Sequence, residues 1–306
     1  MDTIPNIIRT FKRTFGYWLR SRYSNYMPLT PTEISDFRTL IYDYYRDHPR
    51  SFPWRDTDDP YKIWVSEIML QQTQAPRVVE KYNAFIAAFP RMQDLAAAPL
   101  ERLLALWQGL GYNRRALGLQ QAAKILTKEL GAEVPEDPQL LKALPGIGPY
   151  TASAIRAFAF NRPDTFIETN IRRVFLHHFF PNQEGISDEQ LMPMIAETVD
   201  RNDPRNWYYA LMDYGAHLKG EVVNPNRRSR HYTKQSTFEG SDRQIRGFIL
   251  REMIGKGQME ENELIRKSDR DPARVKAMLA GLQAEGFLVL EGTKYRIADS
   301  SLSQDR

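Results

Sequence analysis

The chain has no cysteine in 306 residues. Disulfides, thiolate zinc sites and cysteine-ligated iron–sulfur clusters are excluded, so oxygen and nitrogen groups must carry any chemistry. Histidine is also scarce. None of the five, including the neighbours His177 and His178, falls into a ligand spacing, so structural or surface roles and no metal site are expected. No apolar run approaches the roughly 20 residues needed to cross a bilayer, and the N-terminus lacks an apolar core followed by a small-residue cleavage site. A soluble, cytoplasmic protein is the expectation. Lys plus Arg (42) only slightly exceed Asp plus Glu (38). A pI of about 9.1 nonetheless suits a polyanionic partner, because cationic surfaces gain affinity by releasing counterions from phosphates.

Patterning along the chain predicts a mainly α protein with a small C-terminal unit. Residues 1–29 form a basic extension in which Ile7, Ile8, Phe11, Phe15, Tyr17, Trp18 and Leu19 recur at a spacing suited to one amphipathic helix. Such a helix could lie on DNA, on the protein body or on a membrane surface. From residue 30 to 220, roughly ten helical patterns follow one another, punctuated at Pro49–Pro53, Asp56–Pro60, Phe89–Pro90, Gly131–Pro138 and Asn161–Asp164. Residues 221–240 read as a basic linker able to touch DNA through Arg227 and Arg228. Residues 241–300 then predict helices over 242–255, 260–267 and 271–285 and a ribbon over 287–298, the order of a winged helix, before a tail at 301–306. Asp271 followed by Pro272 marks the start of the third helix. The winged unit could read a groove or serve as a packing module.

Three segments carry candidate chemistry. Leu144-Pro145-Gly146-Ile147-Gly148-Pro149-Tyr150 lies between two helical patterns. Its glycines permit a tight hairpin, and the N-terminus of the following helix offers backbone N–H groups to a phosphate. Glu168 stands immediately before a basic amphipathic helix whose Asn170 and Arg172 are candidates for DNA contact. It could be only a helix cap, or it could also stabilise a sugar that becomes positive as a glycosidic bond breaks. Glu67 lies inside an apolar turn, Ile63 to Leu70, where desolvation favours a protonated acid able to donate to a leaving base. Gln71 and Gln72 follow, with donors and acceptors suited to base edges or to the gap left by an extruded nucleotide.

Together with Phe52-Pro53-Trp54-Arg55 and Trp107-Gln108-Gly109-Leu110-Gly111-Tyr112, these segments resemble the helix-hairpin-helix DNA glycosylase superfamily, most closely the catalytic domain of the MutY adenine glycosylases. The resemblance covers about residues 35–220. It implies a two-lobed helical body that acts as a monomer on double-stranded DNA holding a mispaired or damaged base. Glu67 would be the general acid and base, and Glu168 would take the place of the aspartate that stabilises the sugar cation. Tyr150 stands where bifunctional relatives carry a catalytic lysine, so monofunctional excision is implied. Gln71, Gln72 and Tyr112 would fill or wedge the duplex. The hairpin, Leu144, Gly146 and Gly148 included, would anchor phosphate, with a structural monovalent cation possible on its backbone carbonyls. The sequence departs from the family at three places. Glutamate replaces aspartate at 168, no cluster cysteines follow Leu211 to Ala216, and the winged unit replaces the domain that usually recognises 8-oxoguanine. Adenine is the expected base. Thymine or uracil opposite guanine, hypoxanthine, or a non-catalytic lesion-binding role are the alternatives.

Overall fold

The structure, a computed structural model, describes residues 28–234 and 237–299. The helix expected within the N-terminal extension and the C-terminal tail lie outside the described residues. In chain order the described helices are α1 (Pro31–Asp47), α2 (Pro60–Leu70), α3 (Ala75–Ala88), α4 (Met92–Ala97), α5 (Leu100–Trp107), α6 (Arg114–Glu129) and α7 (Pro138–Ala143). They continue as α8 (Pro149–Phe160), α9 (Thr169–Phe179), α10 (Asp188–Thr198), α11 (Pro204–Glu221), α12 (Asp242–Lys256), α13 (Glu261–Ser268) and α14 (Pro272–Ala284). The mainly helical class follows the sequence expectation. Among the described residues, no helix is long and apolar enough to cross a membrane.

Four of these helices begin with the same dipeptide. Asp59, Asp137, Asp203 and Asp271 each cap the helix whose next residue is proline, and in each case the carboxylate accepts a backbone N–H of the first turn. Proline there forgoes only an N–H that would have had no helical partner, and the carboxylate satisfies one that would have gone unmet.

The chain divides into two compact units, crossing between them after Ser51, Thr151 and Lys234. The first unit holds α1 and the helices from α8 through α11. Its core is aromatic: Phe37 meets Phe175, Phe179 and Trp207 edge-on, with centroids 5.0–5.9 Å apart. Helices α9 and α11 approach so closely that a Cβ added at Gly215 would lie 2.4 Å from the Asn170 carbonyl oxygen. Residues 224–230, expected as part of a linker, are packed onto this unit. Pro225–Arg228 form a 3-10 turn, the Asn226 side-chain amide donates to the Thr169 carbonyl (2.9 Å), and Ser229 bridges Ile186.

The second unit holds α2 through α7 and the C-terminal elements. Helices α12, α13 and α14 carry a three-stranded antiparallel sheet, β1 (Gln258–Glu260), β2 (Leu288–Glu291) and β3 (Lys294–Ile297), in the order β1-β3-β2. The expected two-stranded ribbon thus gains a third strand. Three residues give too little alternation to announce β1, which is fixed by pairing Met259 with Tyr295. Val275, Leu279 and Leu282 of α14 are buried, whereas Met278 is only half-buried.

Candidate active site

Helix α2 is buried all round from Ile63 to Met69, with Ile63, Trp64, Val65, Ile68 and Met69 in the core. An acid on such a helix cannot turn to bulk water. Glu67 is accordingly 7% exposed, while the neighbouring Ser66 hydroxyl is satisfied by donating to the Ile63 carbonyl (2.7 Å). The enclosure expected for a proton donor is therefore present.

At the end of α2 the chain turns sharply. Gln72 has φ 54°, and Tyr112, in the glycine-rich loop between α5 and α6, has φ 48°. Each such conformation costs an L residue on the order of 1 kcal/mol, and persists where the surroundings enforce it. The enforcing group is Arg115. Its guanidinium donates to the carbonyls of Ile68 (2.9 Å), Met69 (2.9 Å) and Gln71 (2.6 Å) at the end of α2, and to those of Leu110 (3.1 Å) and Gly111 (3.0 Å) in the other loop. It also stands 5.5 Å from the Trp107 ring centroid and 5.6 Å from that of Tyr112. Burial pushes its pKa down to about 10, so it stays cationic at neutral pH. Sequence reasoning selected Gln71, Gln72 and Tyr112 but missed the cation that holds them, because an arginine near a helix start carries no local sign of its distant acceptors. The Gln71 side-chain amide also donates to the Thr151 hydroxyl (3.1 Å). Tyr112 is 37% exposed.

The hairpin between α7 and α8 takes its expected form. Leu144 and Ile147 are buried, and the Ile147 amide donates to the Leu144 carbonyl (3.2 Å). Only Gly146 uses glycine's freedom, at φ 81°, while Gly148 leaves open space where a side chain would stand. Helix α6 runs against this turn: a Cβ at Gly118 would lie 3.5 Å from the Pro145 carbonyl oxygen. Tyr150 is the second residue of α8 and is half-buried.

In the first unit, Glu168 is the N-cap of α9. Its Oε1 accepts the amides of Asn170 (2.6 Å) and Ile171 (2.8 Å), and its Oε2 accepts the Asn170 side-chain amide (3.2 Å). Enclosure of the carboxyl raises its pKa, against the lowering pull of those amides and of the Arg173 and Arg172 charges. Arg173 reinforces the arrangement by donating to the Asn170 side-chain oxygen (2.7 Å) and the Gly215 carbonyl (2.6 Å). Asn170 is thus a bracket between Glu168 and Arg173. Arg172 is held in a two-pronged pair with Asp188, both contacts at 2.7 Å, and Arg228 donates to the carbonyls of Leu176 and Pro181. Of the basic residues singled out here, Arg227 is the exposed one. Among the described residues, no group of histidines and acids is gathered as a metal site.

Residues 65–200 match the HhH-GPD superfamily of base excision DNA repair proteins. The chain is 39% identical over 246 residues to an adenine DNA glycosylase of Mycobacterium tuberculosis (strain CDC 1551 / Oshkosh), covering 72% of this chain and 78% of that protein. It is 35% identical over 189 residues to an adenine DNA glycosylase of Buchnera aphidicola subsp. Baizongia pistaciae (strain Bp), covering 60% of this chain. The chain spans about half the length of some relatives, 53% in the Buchnera case. Among solved structures, a thermostable thymine-DNA glycosylase superposes with a TM-score of 0.54 at 27% identity, over 60% of this chain and 86% of that one. With 39% identity over 246 residues to an adenine DNA glycosylase and the family match over residues 65–200, the chain belongs to the HhH-GPD superfamily of base excision DNA repair proteins.

Proposed function

We propose that the protein is a monofunctional DNA glycosylase that hydrolyses the N-glycosidic bond of an adenine turned out of a mispaired duplex, leaving an abasic site. The observation that carries this reading is the enclosure of Glu67 among the core residues of its helix, in a chain 39% identical over 246 residues to an adenine DNA glycosylase. Glu67, protonated, gives its proton to the purine ring, and the C–N bond breaks with its electron pair passing to the base. The sugar left positive is stabilised by the ionised carboxylate of Glu168. Water then bonds to the sugar carbon and returns a proton to Glu67, so adenine and the abasic site are the products. Tyr150 provides no amine for a Schiff base, which supports hydrolysis without strand cleavage.

The hairpin amides suit a DNA phosphate, and exposed Arg227 suits another. A monovalent cation at the hairpin would be purely structural, held by backbone carbonyls. The proposed partner is double-stranded DNA, bound by a monomer.

A second reading, excision of thymine or uracil opposite guanine, is favoured by the likeness to a thymine-DNA glycosylase. Single-turnover assays on duplexes with A opposite 8-oxoguanine, A opposite G, T opposite G, U opposite G and hypoxanthine, followed by alkali, separate the two. Cutting of the A-containing duplexes is expected. Cutting of only T or U duplexes selects the second reading, and survival of every duplex with binding intact leaves a lesion-binding protein. Glu67→Gln is expected to abolish excision while binding persists, and an active variant overturns the role of Glu67.

A further inference from the structure

The winged unit is poorly suited to act as an independent groove reader. Its basic side chains are largely opposed by acids of the same region: Arg274 by Asp242 (2.5 Å), Arg270 by Glu239 (3.0 Å), Lys276 by Glu261 (3.2 Å), Lys267 by Glu252 (3.1 Å) and Arg296 by Glu291 (2.5 Å). Phosphate contact draws on unneutralised positive charge, which such pairing diminishes. The specific contacts of this region are instead made within its own compact unit. Helix α12 packs on α5, and Glu285 at the end of α14 joins Arg114 of α6 (2.6 Å) to Arg246 of α12 (2.5 Å).

Arg243, in the first turn of α12, reaches Tyr112. Its Nη1 donates to the Tyr112 hydroxyl (3.1 Å), and its guanidinium carbon stands 5.9 Å from the ring centroid. The Tyr112 ring therefore has Arg115 and Arg243 both within cation–π range. Arg243 is itself steadied by donating to the Thr237 carbonyl (3.4 Å), and the adjoining turn is closed by Ser241 donating to the Phe238 carbonyl (2.6 Å).

We propose that Arg243 is a positioning residue for Tyr112, through which the C-terminal elements set the geometry in which that ring meets DNA. The role of Tyr112 on DNA rests on the glycosylase reading above, whereas its restraint by Arg243 does not. A bulky residue at positive φ on a glycine-flanked loop has many alternatives, and a tether at both the hydroxyl and the ring face removes them before binding. The C-terminal elements then contribute to DNA affinity by preorganisation rather than by reading bases.

The test uses the full chain with Arg243→Ala, Arg243→Lys and Tyr112→Phe. Amide hydrogen exchange over residues 109–113 without DNA reads the restraint. Kd and single-turnover rate on a cleaved duplex read its consequence. Arg243→Ala is expected to quicken exchange and to weaken Kd roughly five- to seventy-fold, the combined range for one exposed cation–π contact and one hydrogen bond, with the cleavage rate at saturation within about two-fold. Arg243→Lys keeps the charge near the ring and restores most of the affinity. The losses from Arg243→Ala and Tyr112→Phe are less than additive in the double variant, because both remove the same hydrogen bond. Unchanged exchange and Kd in Arg243→Ala, or full additivity, overturns the proposal. Quickened exchange in a protein that cuts no duplex leaves the restraint standing and defeats the glycosylase reading instead. If Arg243→Ala fails to fold, Arg243→Lys and Tyr112→Phe decide the question by the same two measurements.

Discussion

The Arg115 guanidinium donates to the Gln71 carbonyl at 2.6 Å, and through its other nitrogen to the Leu110 and Gly111 carbonyls, tying the end of α2 to the loop that carries Tyr112. Two chain segments forty residues apart thereby share one buried cation. Lysine has a single nitrogen and cannot span both sets of acceptors. Arg115→Lys is expected to lower stability by about 2–3 kcal/mol, from several carbonyls losing a charged donor, and to weaken DNA binding further than stability alone explains. Urea unfolding alongside a DNA-binding isotherm checks both, and a variant as stable and as tightly bound as the parent removes Arg115 from this role.

Gly215 faces the Asn170 backbone with no room for a side chain. An added methyl must push α9 from α11, and overpacking of this kind costs about 1–3 kcal/mol. Asn170 donates to the Glu168 carboxylate on one side and accepts from Arg173 on the other. Gly215→Ala should therefore lower the single-turnover rate even at temperatures where the variant is fully folded by circular dichroism. An unaltered rate would show that the bracket tolerates displacement.

In the proposed reaction Glu168 must be ionised to stabilise a cation, yet enclosure raises its pKa. Protonation on acidification therefore removes the useful form, and the acid limb of the single-turnover rate should lie above the ordinary glutamate range of about 4.3. Glu168→Gln should lose this limb together with roughly 10²–10³-fold of the rate, the scale on which one preorganised electrostatic contact contributes. A pH–rate profile of both proteins decides this. A Gln variant with parental rate and profile would leave Glu168 a helix cap only.

Glu285, clamped by Arg114 and Arg246, has its pKa depressed to about 2. A carboxylate depressed in the folded state contributes stability that is complete above its unfolded pKa, about 4.3, and is lost as pH falls toward the folded value. Melting temperatures between pH 5 and 2 should therefore fall less steeply in Glu285→Gln than in the parent. Parallel curves would show that the clamp contributes nothing measurable, as is common for solvent-accessible ion pairs.

Much of the site was legible locally. The hairpin glycine, the capping glutamate at 168 and the acid within an apolar turn at 67 each follow from a few adjacent residues, and all three take the expected local form. Two of the selected cations, Arg172 and Arg228, are engaged inside the first unit. Composition shows that an arginine is basic, not whether an aspartate sixteen residues away or a helix-end carbonyl will claim it.

By itself the sequence determined where four of the described helices start, because an Asp–Pro pair caps from within its own turn, and it determined that no disulfide or cysteine thiolate can form within this chain. The tertiary structure alone decided that Arg115 holds two loops, that Arg243 reaches Tyr112 and that residues 224–230 are packed rather than extended. The reason is range. Caps and turns are settled within one turn of chain, whereas these contacts exist only after distant helices have crossed at particular residues, and no local pattern encodes where that crossing falls.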